Sequence, residues 1–270
     1  MRMKIGFIGG GVMAEAIMKG ILDASLVNSE DLVVSDLNTD RLIYLHKSLN
    51  ISGVKSNIEV VNKSDIVVLA IKPQNIDQVM KELKGNLITR KSFLSIVAGV
   101  SIENLQNGLG VDSIIRVMPN TPAQIKKGMN VWTSSSNVSE NVISFSKKIL
   151  SVLGEELYVH DESLIDMSTA LSGSGPAYMF LFMDSLINAG IDIGMSKDMS
   201  IKLVKQTLLG SIELAITSEF EPTKLKQMVT SPGGTTEAAL KKFEEGEFSK
   251  LVAEAVLAAF ERAKFLGGKQ

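Results

Sequence analysis

Two stretches of this chain have the residue types and spacing for chemistry. The first is "GFIGGGVMA", in which Gly9-x-Gly11-x-x-Ala14 lies between an apolar run and a run with helical spacing. A glycine at the first position permits a tight turn. One at the second lets a backbone approach a phosphate closely, and a small third residue lets the helix pack on the strand. The free N–H groups and positive dipole of the helix start suit a pyrophosphate. The second stretch is "SPGGTTEAAL", Ser231 to Leu240. Proline, two glycines and two threonines pack a core poorly, but they expose backbone N–H groups and hydroxyls at the start of a helix.

A glycine motif alone is also found in ordinary turns. Here its context is that of a dinucleotide site, because a second apolar strand, "DLVVSD", ends in Asp36. An acid at that place accepts a hydrogen bond from a ribose 2′-hydroxyl and repels a 2′-phosphate. Asp36 therefore favours NAD(H). Ser35, Asn38 and Arg41 are the groups that would hold a phosphate if Asp36 turned away, and Asp36 also suits a cap for the Asn38–Arg41 turn. The third strand ends in "AIKPQ", Ala70 to Gln74, and a later one in "RVMPNTP". Strand ends face the cofactor crevice in such a fold, so Ala70, Lys72, Pro73, Met118, Pro119 and Asn120 are candidates to line it. Lys72 fits a base less well than a solvated lysine.

The elements that must position these residues follow from periodicity. Apolar strands "MKIGFIG", "DLVVSD", "SDIVVLAIKP", "SFLSIVAGV", "SIIRVMPNTP" and "GMNVWTS" alternate with helical runs at 12–24, 39–49, 75–83 and 138–153, before a short strand at 156–159. That alternation predicts an α/β, mostly parallel, doubly wound Rossmann-like domain over residues 1–160. Strand signals then stop. Helical runs at 177–189, 196–217, 223–229, 235–245 and 249–266 predict an all-α domain over 161–270. The helix from Ala177 is apolar on nearly every face and must be buried all round. About 110 residues of helix have limited capacity to do that alone, which points to a second subunit rather than a tight monomeric core.

Composition narrows the function. The 270 residues are 45% hydrophobic and 21% charged, as in a folded domain with a sizeable core. The net charge of −2 without a basic block argues against nucleic-acid binding. There are no cysteines, so thiolate metal sites and cysteine nucleophiles are excluded and a reducing, cytoplasmic setting is allowed. His46 and His160 lie far apart and predict no metal site. The N-terminal apolar run is too short for a signal peptide and reads as a strand. Ala177 to Met183 stops at Asp184, short of the ~20 residues that a membrane span needs.

Together these motifs make the chain resemble the pyrroline-5-carboxylate reductase family. "GFIGGGVMA", "AIKPQ", "RVMPNTP", "ALSGSGPAY" and "VTSPGGTTEAAL" carry the resemblance, in the family's order and across essentially the whole chain. It implies a Rossmann domain that binds NADP(H) or NAD(H), and a helical domain that makes an intertwined homodimer or a multiple of dimers, up to a decamer. It implies reduction of pyrroline-5-carboxylate to L-proline by hydride transfer to the imine carbon. Carried over, Gly9, Gly11 and Val12, with Met13 beside them, hold the pyrophosphate. Ser35, Asp36 and Asn57 lie near the adenosine ribose. Ala70, Lys72 and Pro73 run along the nicotinamide side, with Asn120. Ser231, Gly233, Gly234, Thr235 and Thr236 form the substrate loop, in which the helix start takes a carboxylate and the Thr236 hydroxyl orients the imine nitrogen. The chain departs from the family at Ser35-Asp36-Leu37, where a Ser-Asn-Arg-type stretch suited to a 2′-phosphate is common.

A β-hydroxyacid dehydrogenase also joins a Rossmann domain to a helical one, but it carries a lysine early in the second domain. Ala177 to Asn188 has none. A non-catalytic nucleotide-binding protein is the other alternative, and the intact "SPGGTT" loop argues against it.

Overall fold

The computed structural model describes residues 3–86 and 91–266. Met1 and Arg2, at the head of the N-terminal stretch, lie outside them. The chain divides into two compact units. One runs to Ser174 and takes up the chain again from Ala259; the other is Gly175–Ala258.

The first unit is built on an eight-stranded sheet. Its strands are β1 (Ile5–Ile8), β2 (Leu32–Ser35), β3 (Ser52–Val54), β4 (Ile66–Leu69), β5 (Ser92–Ser95), β6 (Ile114–Met118), β7 (Gly128–Ser134) and β8 (Gly154–Tyr158). They lie in the order β3-β2-β1-β4-β5-β6-β7-β8, and all neighbours are parallel except β6 and β7. The first six strands have the 3-2-1-4-5-6 order of a dinucleotide-binding fold. Its strand order reverses at β1, which pairs with both β2 and β4: Ile8 lies opposite Ser35 on one side and Leu69 on the other. The β6–β7 connection, 119–127, is too short for a parallel crossover, which takes about a dozen residues or more, so β7 must turn back antiparallel.

Alternation along each strand explains the double winding. Ile5, Phe7, Leu32, Val34, Ile66, Val68 and Leu94 belong to one buried cluster, while Ile8, Val33, Val67, Leu69 and Phe93 belong to another. Successive side chains point to opposite faces, so both faces are apolar and both need helices. Helix α1 (Val12–Asp23) covers the first face through Ala14, Ile17, Met18 and Ile21, which are spaced as one helical stripe. Helix α2 (Thr39–Leu49) adds Leu45 to that face. The second face is covered by α3 (Asn57–Lys63), α4 (Ile76–Leu83) and α5 (Ile102–Leu109) through Val60, Val61, Val79, Leu83, Leu105 and Leu109. α6 (Glu140–Ser151) returns to the first face with Ile149 and Leu150.

Compactness carries the first unit past the 160/161 division expected from the sequence. The short helix α7 (Ser163–Ser168) buries Ile165 against Val131 and Val159. Its Asp166, with the preceding Glu162, pairs with Arg116 of β6. Strand signals do end at residue 160, but packing on the sheet continues to the turn of π-helix at Thr169–Gly173.

The second unit holds α8 (Gly175–Asp192), α9 (Lys197–Thr217), α10 (Pro222–Met228), α11 (Thr235–Glu245) and the start of α12 (Phe248–Leu266). α8 packs on α9, where Gly190 lies against the buried Ser200. Phe182, Phe243 and Phe248 form a ring cluster with centroids 5.3–6.5 Å apart. No residue of α8 is fully buried, and Leu181 is 69% exposed. None of the described helices is long and apolar enough to cross a membrane.

Candidate active site

The glycine turn sits at the carboxyl ends of β1, β2 and β4. Gly9 has φ +96° and donates its N–H to the Ser35 carbonyl at 2.8 Å. A Cβ on Gly9 would stand 2.5 Å from the Ala70 carbonyl oxygen, so only glycine fits between these strand ends. Gly11 is the N-cap of α1, and a Cβ there would meet nothing within 4 Å. The first helical hydrogen bond runs from the Glu15 N–H to the Gly11 carbonyl at 2.9 Å. The N–H groups of Val12, Met13 and Ala14 thus have no helical acceptor. A free helix start facing open space fits a pyrophosphate.

Asp36 is held on both carboxylate oxygens by backbone. One accepts the Gly10 N–H at 2.7 Å and the other the Asn38 N–H at 2.8 Å. Asn38 in turn caps α2, accepting from the N–H groups of Asp40 and Arg41. Asp36 therefore braces the glycine turn and the start of α2 together. An ionised carboxylate has about four acceptor positions, so roughly two remain for a ribose hydroxyl. Ser35 and Asn57, both expected near the adenosine ribose, bond to each other. The Ser35 hydroxyl donates to Asn57 Oδ1 at 2.7 Å, and Asn57 Nδ2 donates to Glu82 Oε2 at 2.7 Å. The Ala70 N–H donates to the Ile8 carbonyl, which fixes the end of β4 beside the turn. Lys72 is exposed and precedes the short turn Pro73–Asn75, with Pro73 at its first position.

Asn120 is occupied by the protein at both ends of its amide. Its Oδ1 accepts the Met129 N–H at 2.8 Å, and its Nδ2 donates to the Ser172 carbonyl at 3.1 Å. It thus ties the end of β6 to the start of β7 and to the "SGSG" segment. Gly173 packs closely there: a Cβ would lie 2.5 Å from the Met118 methyl, which would have to shift. Pattern reading missed Arg116. Its signal was visible: a charge in the middle of "IIRVM" needs a buried counter-charge. Arg116 donates to Glu162 Oε1 at 2.8 Å and to Asp166 Oδ1, and Glu162 Oε1 also accepts the Ile102 N–H that opens α5.

A second cluster braces the glycine turn from outside. The Arg41 guanidinium donates to the Gly10 and Gly11 carbonyls and pairs with Glu15. The Tyr44 hydroxyl donates to the other Glu15 oxygen at 3.0 Å, while its ring lies 4.9 Å from the Arg41 Cζ. That hydrogen bond, reinforced by the negative charge of Glu15, holds the Tyr44 phenol above its usual range.

In the helical unit, Ser231 to Thr236 forms a turn that ends in a helix start. Gly233 has φ +71°, the Gly234 N–H donates to the Ser231 carbonyl at 2.9 Å, and Gly234 is the N-cap of α11. Glu237 reaches back to accept the Gly233 N–H at 2.8 Å. Thr235 and Thr236 then occupy the first two helical positions, whose N–H groups have no helical acceptor. The N-cap Gly234 has no side chain to cap the helix, and the Thr236 hydroxyl makes no hydrogen bond among the described residues. Such an end takes an anion on its N–H groups and a polar atom on its hydroxyl.

Residues 162–266 match the family model described as pyrroline-5-carboxylate reductase dimerisation, and residues 4–99 match that of coenzyme F420-dependent NADP oxidoreductase. The pyrroline-5-carboxylate reductase of Synechocystis is 38% identical over 269 residues, covering 100% of both chains. The chain belongs to the pyrroline-5-carboxylate reductase family. The Pseudomonas aeruginosa reductase is 38% identical over 96% of this chain and 95% of its own. Among solved structures, the Plasmodium falciparum reductase with NADP bound has a TM-score of 0.90 at 34% identity and covers 98% of both chains. The family assignment excludes the β-hydroxyacid dehydrogenase alternative.

Proposed function

We infer that the chain reduces 1-pyrroline-5-carboxylate to L-proline with NAD(P)H, the last step of proline biosynthesis. The observation that carries this reading is the free helix start at Thr235–Thr236, with an unpartnered hydroxyl beside two unpartnered N–H groups. The substrate is a small ring bearing one carboxylate and one C=N bond. Its carboxylate suits the N–H groups, and its ring nitrogen suits the Thr236 hydroxyl. A reduced nicotinamide, when bound, would supply the hydride. Thr236 is too weak an acid to protonate nitrogen at neutral pH, so the proton comes from solvent or from an imine already protonated. The protein's part is positioning. Gly9, Gly11, Val12 and Met13 would hold the pyrophosphate. Asp36 would face the ribose, with Ser35 and Asn57 close behind, and Ala70, Lys72 and Pro73 would line the nicotinamide side. Asn120 would act by fixing the crevice wall rather than by touching the cofactor.

The purified chain should oxidise NADH or NADPH, followed by loss of reduced-nicotinamide absorbance, only when a cyclic imine acid is added. Turnover of a hydroxy acid with none of the imine would overturn the reading.

We also propose a homodimer or a multiple of dimers, with a decamer among the multiples. Among residues 175–258 only Ser200 is fully buried, and the helices expose Phe180, Leu181, Leu214 and Ile216. Apolar surface of that extent needs a cover. We assign that cover and the substrate loop to residues 161–270, and the dinucleotide to residues 1–160. The absence of cysteine suits a reducing cytoplasm, where we place the protein. Light scattering at micromolar concentration should give at least twice the chain mass; a monomer would refute the assembly.

A further inference from the structure

The cluster of Arg41, Glu15 and Tyr44 has no role in the reading above, yet it is built against the same turn. Arg41 and Asp36 grip Gly10 from its two sides: the guanidinium takes its carbonyl, and the carboxylate takes its N–H. The cation of the cluster thus bonds the same residue as the carboxylate that we place at the ribose 2′ position. Its position is set by other partners. Its Nε and Nη2 are engaged by the Gly10 and Gly11 carbonyls and by Glu15, and the Arg41 side chain is only 22% exposed. Glu15 is held in place too, with one oxygen on Arg41 and the other on Tyr44. Leu37, two residues past the end of β2, is 94% exposed and brings no charge to the pocket.

We propose that Glu15 is a specificity-positioning residue: by pairing with Arg41 it withholds the guanidinium from the 2′ position, and so helps the chain prefer a dinucleotide without a 2′-phosphate. The proposal rests on the dinucleotide reading above and deepens it. Asp36 repels a 2′-phosphate directly. Glu15 acts through another residue, by denying the phosphate a nearby cation. An arginine released from its carboxylate would offer a planar fork matched to phosphate oxygens.

The test is calorimetric binding of two fragments, ADP and 2′,5′-ADP, which needs no turnover. The wild type should bind ADP the more tightly. Glu15→Gln keeps the shape and removes the charge, and it should raise affinity for 2′,5′-ADP relative to ADP about tenfold, as one charge-assisted contact would. Arg41→Ala leaves nothing to release, so Glu15→Gln made in that background should not move the ratio. Tyr44→Phe spares the ion pair and should leave the ratio near wild type. A brace that is merely structural would weaken both fragments together, and an unchanged ratio in Glu15→Gln overturns the proposal. So does a selective loss of 2′,5′-ADP in Arg41→Ala, which would mean that the arginine already serves the phosphate; this variant keeps the question open to refutation should Glu15→Gln fold poorly. If neither fragment binds the wild type, the dinucleotide reading itself fails, which is a different result from an unchanged ratio.

Discussion

Thr236→Ala should lower kcat/KM for the imine by about tenfold or more and leave the dissociation constant of the cofactor unchanged. The loop that holds Thr236 is fixed by other groups: the Ser231 carbonyl, the Glu237 carboxylate and the positive φ of Gly233. The Thr236 hydroxyl caps nothing: Gly234 is the N-cap, and the side chain that reaches back to this end is Glu237. Removing it should therefore leave the melting temperature nearly as it was. What is lost is an oriented hydrogen bond at the reacting centre. A neutral bond of this kind is worth roughly 0.5–1.5 kcal/mol, and more when its partner is charged. Each ~1.36 kcal/mol withdrawn from the transition state is about tenfold in rate. A loss confined to kcat/KM, with cofactor binding intact, places the missing contact on the substrate. Thr236→Ser keeps the hydroxyl and should keep most of the activity. Full activity in the alanine variant would reduce the loop to a turn, and another group would have to orient the ring.

Arg116→Leu should be strongly destabilising, costing about 3–5 kcal/mol. The guanidinium is 2% exposed and lies between Glu162 and Asp166, whose side chains are 27% and 6% exposed. Truncation leaves Asp166 buried without its cation, and desolvation of a charge is what makes half of a buried pair so unfavourable. At roughly 2–4 °C per kcal/mol for a chain of this size, the midpoint should fall by about 6–20 °C in a thermal melt followed by circular dichroism. Arg116→Met combined with Asp166→Leu removes both charges and should recover much of the loss, because a well-packed apolar pair can replace an ion pair. A single variant that melts within ~2 °C of wild type would show that α7 is held by Ile165 packing alone.

The sequence alone determined the α/β domain, the helical half and the two loops. The reason is local. Strands buried on both faces read as unbroken apolar runs, as in "IGFI" and "IVVL", and the glycine turn is a requirement of backbone geometry at Gly9. The apolar surround of α8 likewise announced an uncovered surface, because periodicity reports which faces are apolar whatever they meet. β3 and α5 carried no such mark. β3 is three residues at an exposed sheet edge, and α5 is eight residues set by caps at Ser101 and Gly110 rather than by a long stripe.

Partnership was settled only by the tertiary structure. Asp36 has the right type and place for a ribose contact, but its position in the chain could not show that both oxygens already hold the N–H groups of Gly10 and Asn38. Asn120 could be placed at a strand end but not seen to spend its amide on Met129 and Ser172, the latter 52 residues away. Arg116 finds its counter-charges 46 and 50 residues along the chain, and Arg41 finds Glu15 across the glycine turn. A hydrogen bond depends on distances of a few tenths of an ångström between groups remote in sequence. Residue types fix what each group is able to bond, and the packing of the sheet against its helices chooses which bonds are made.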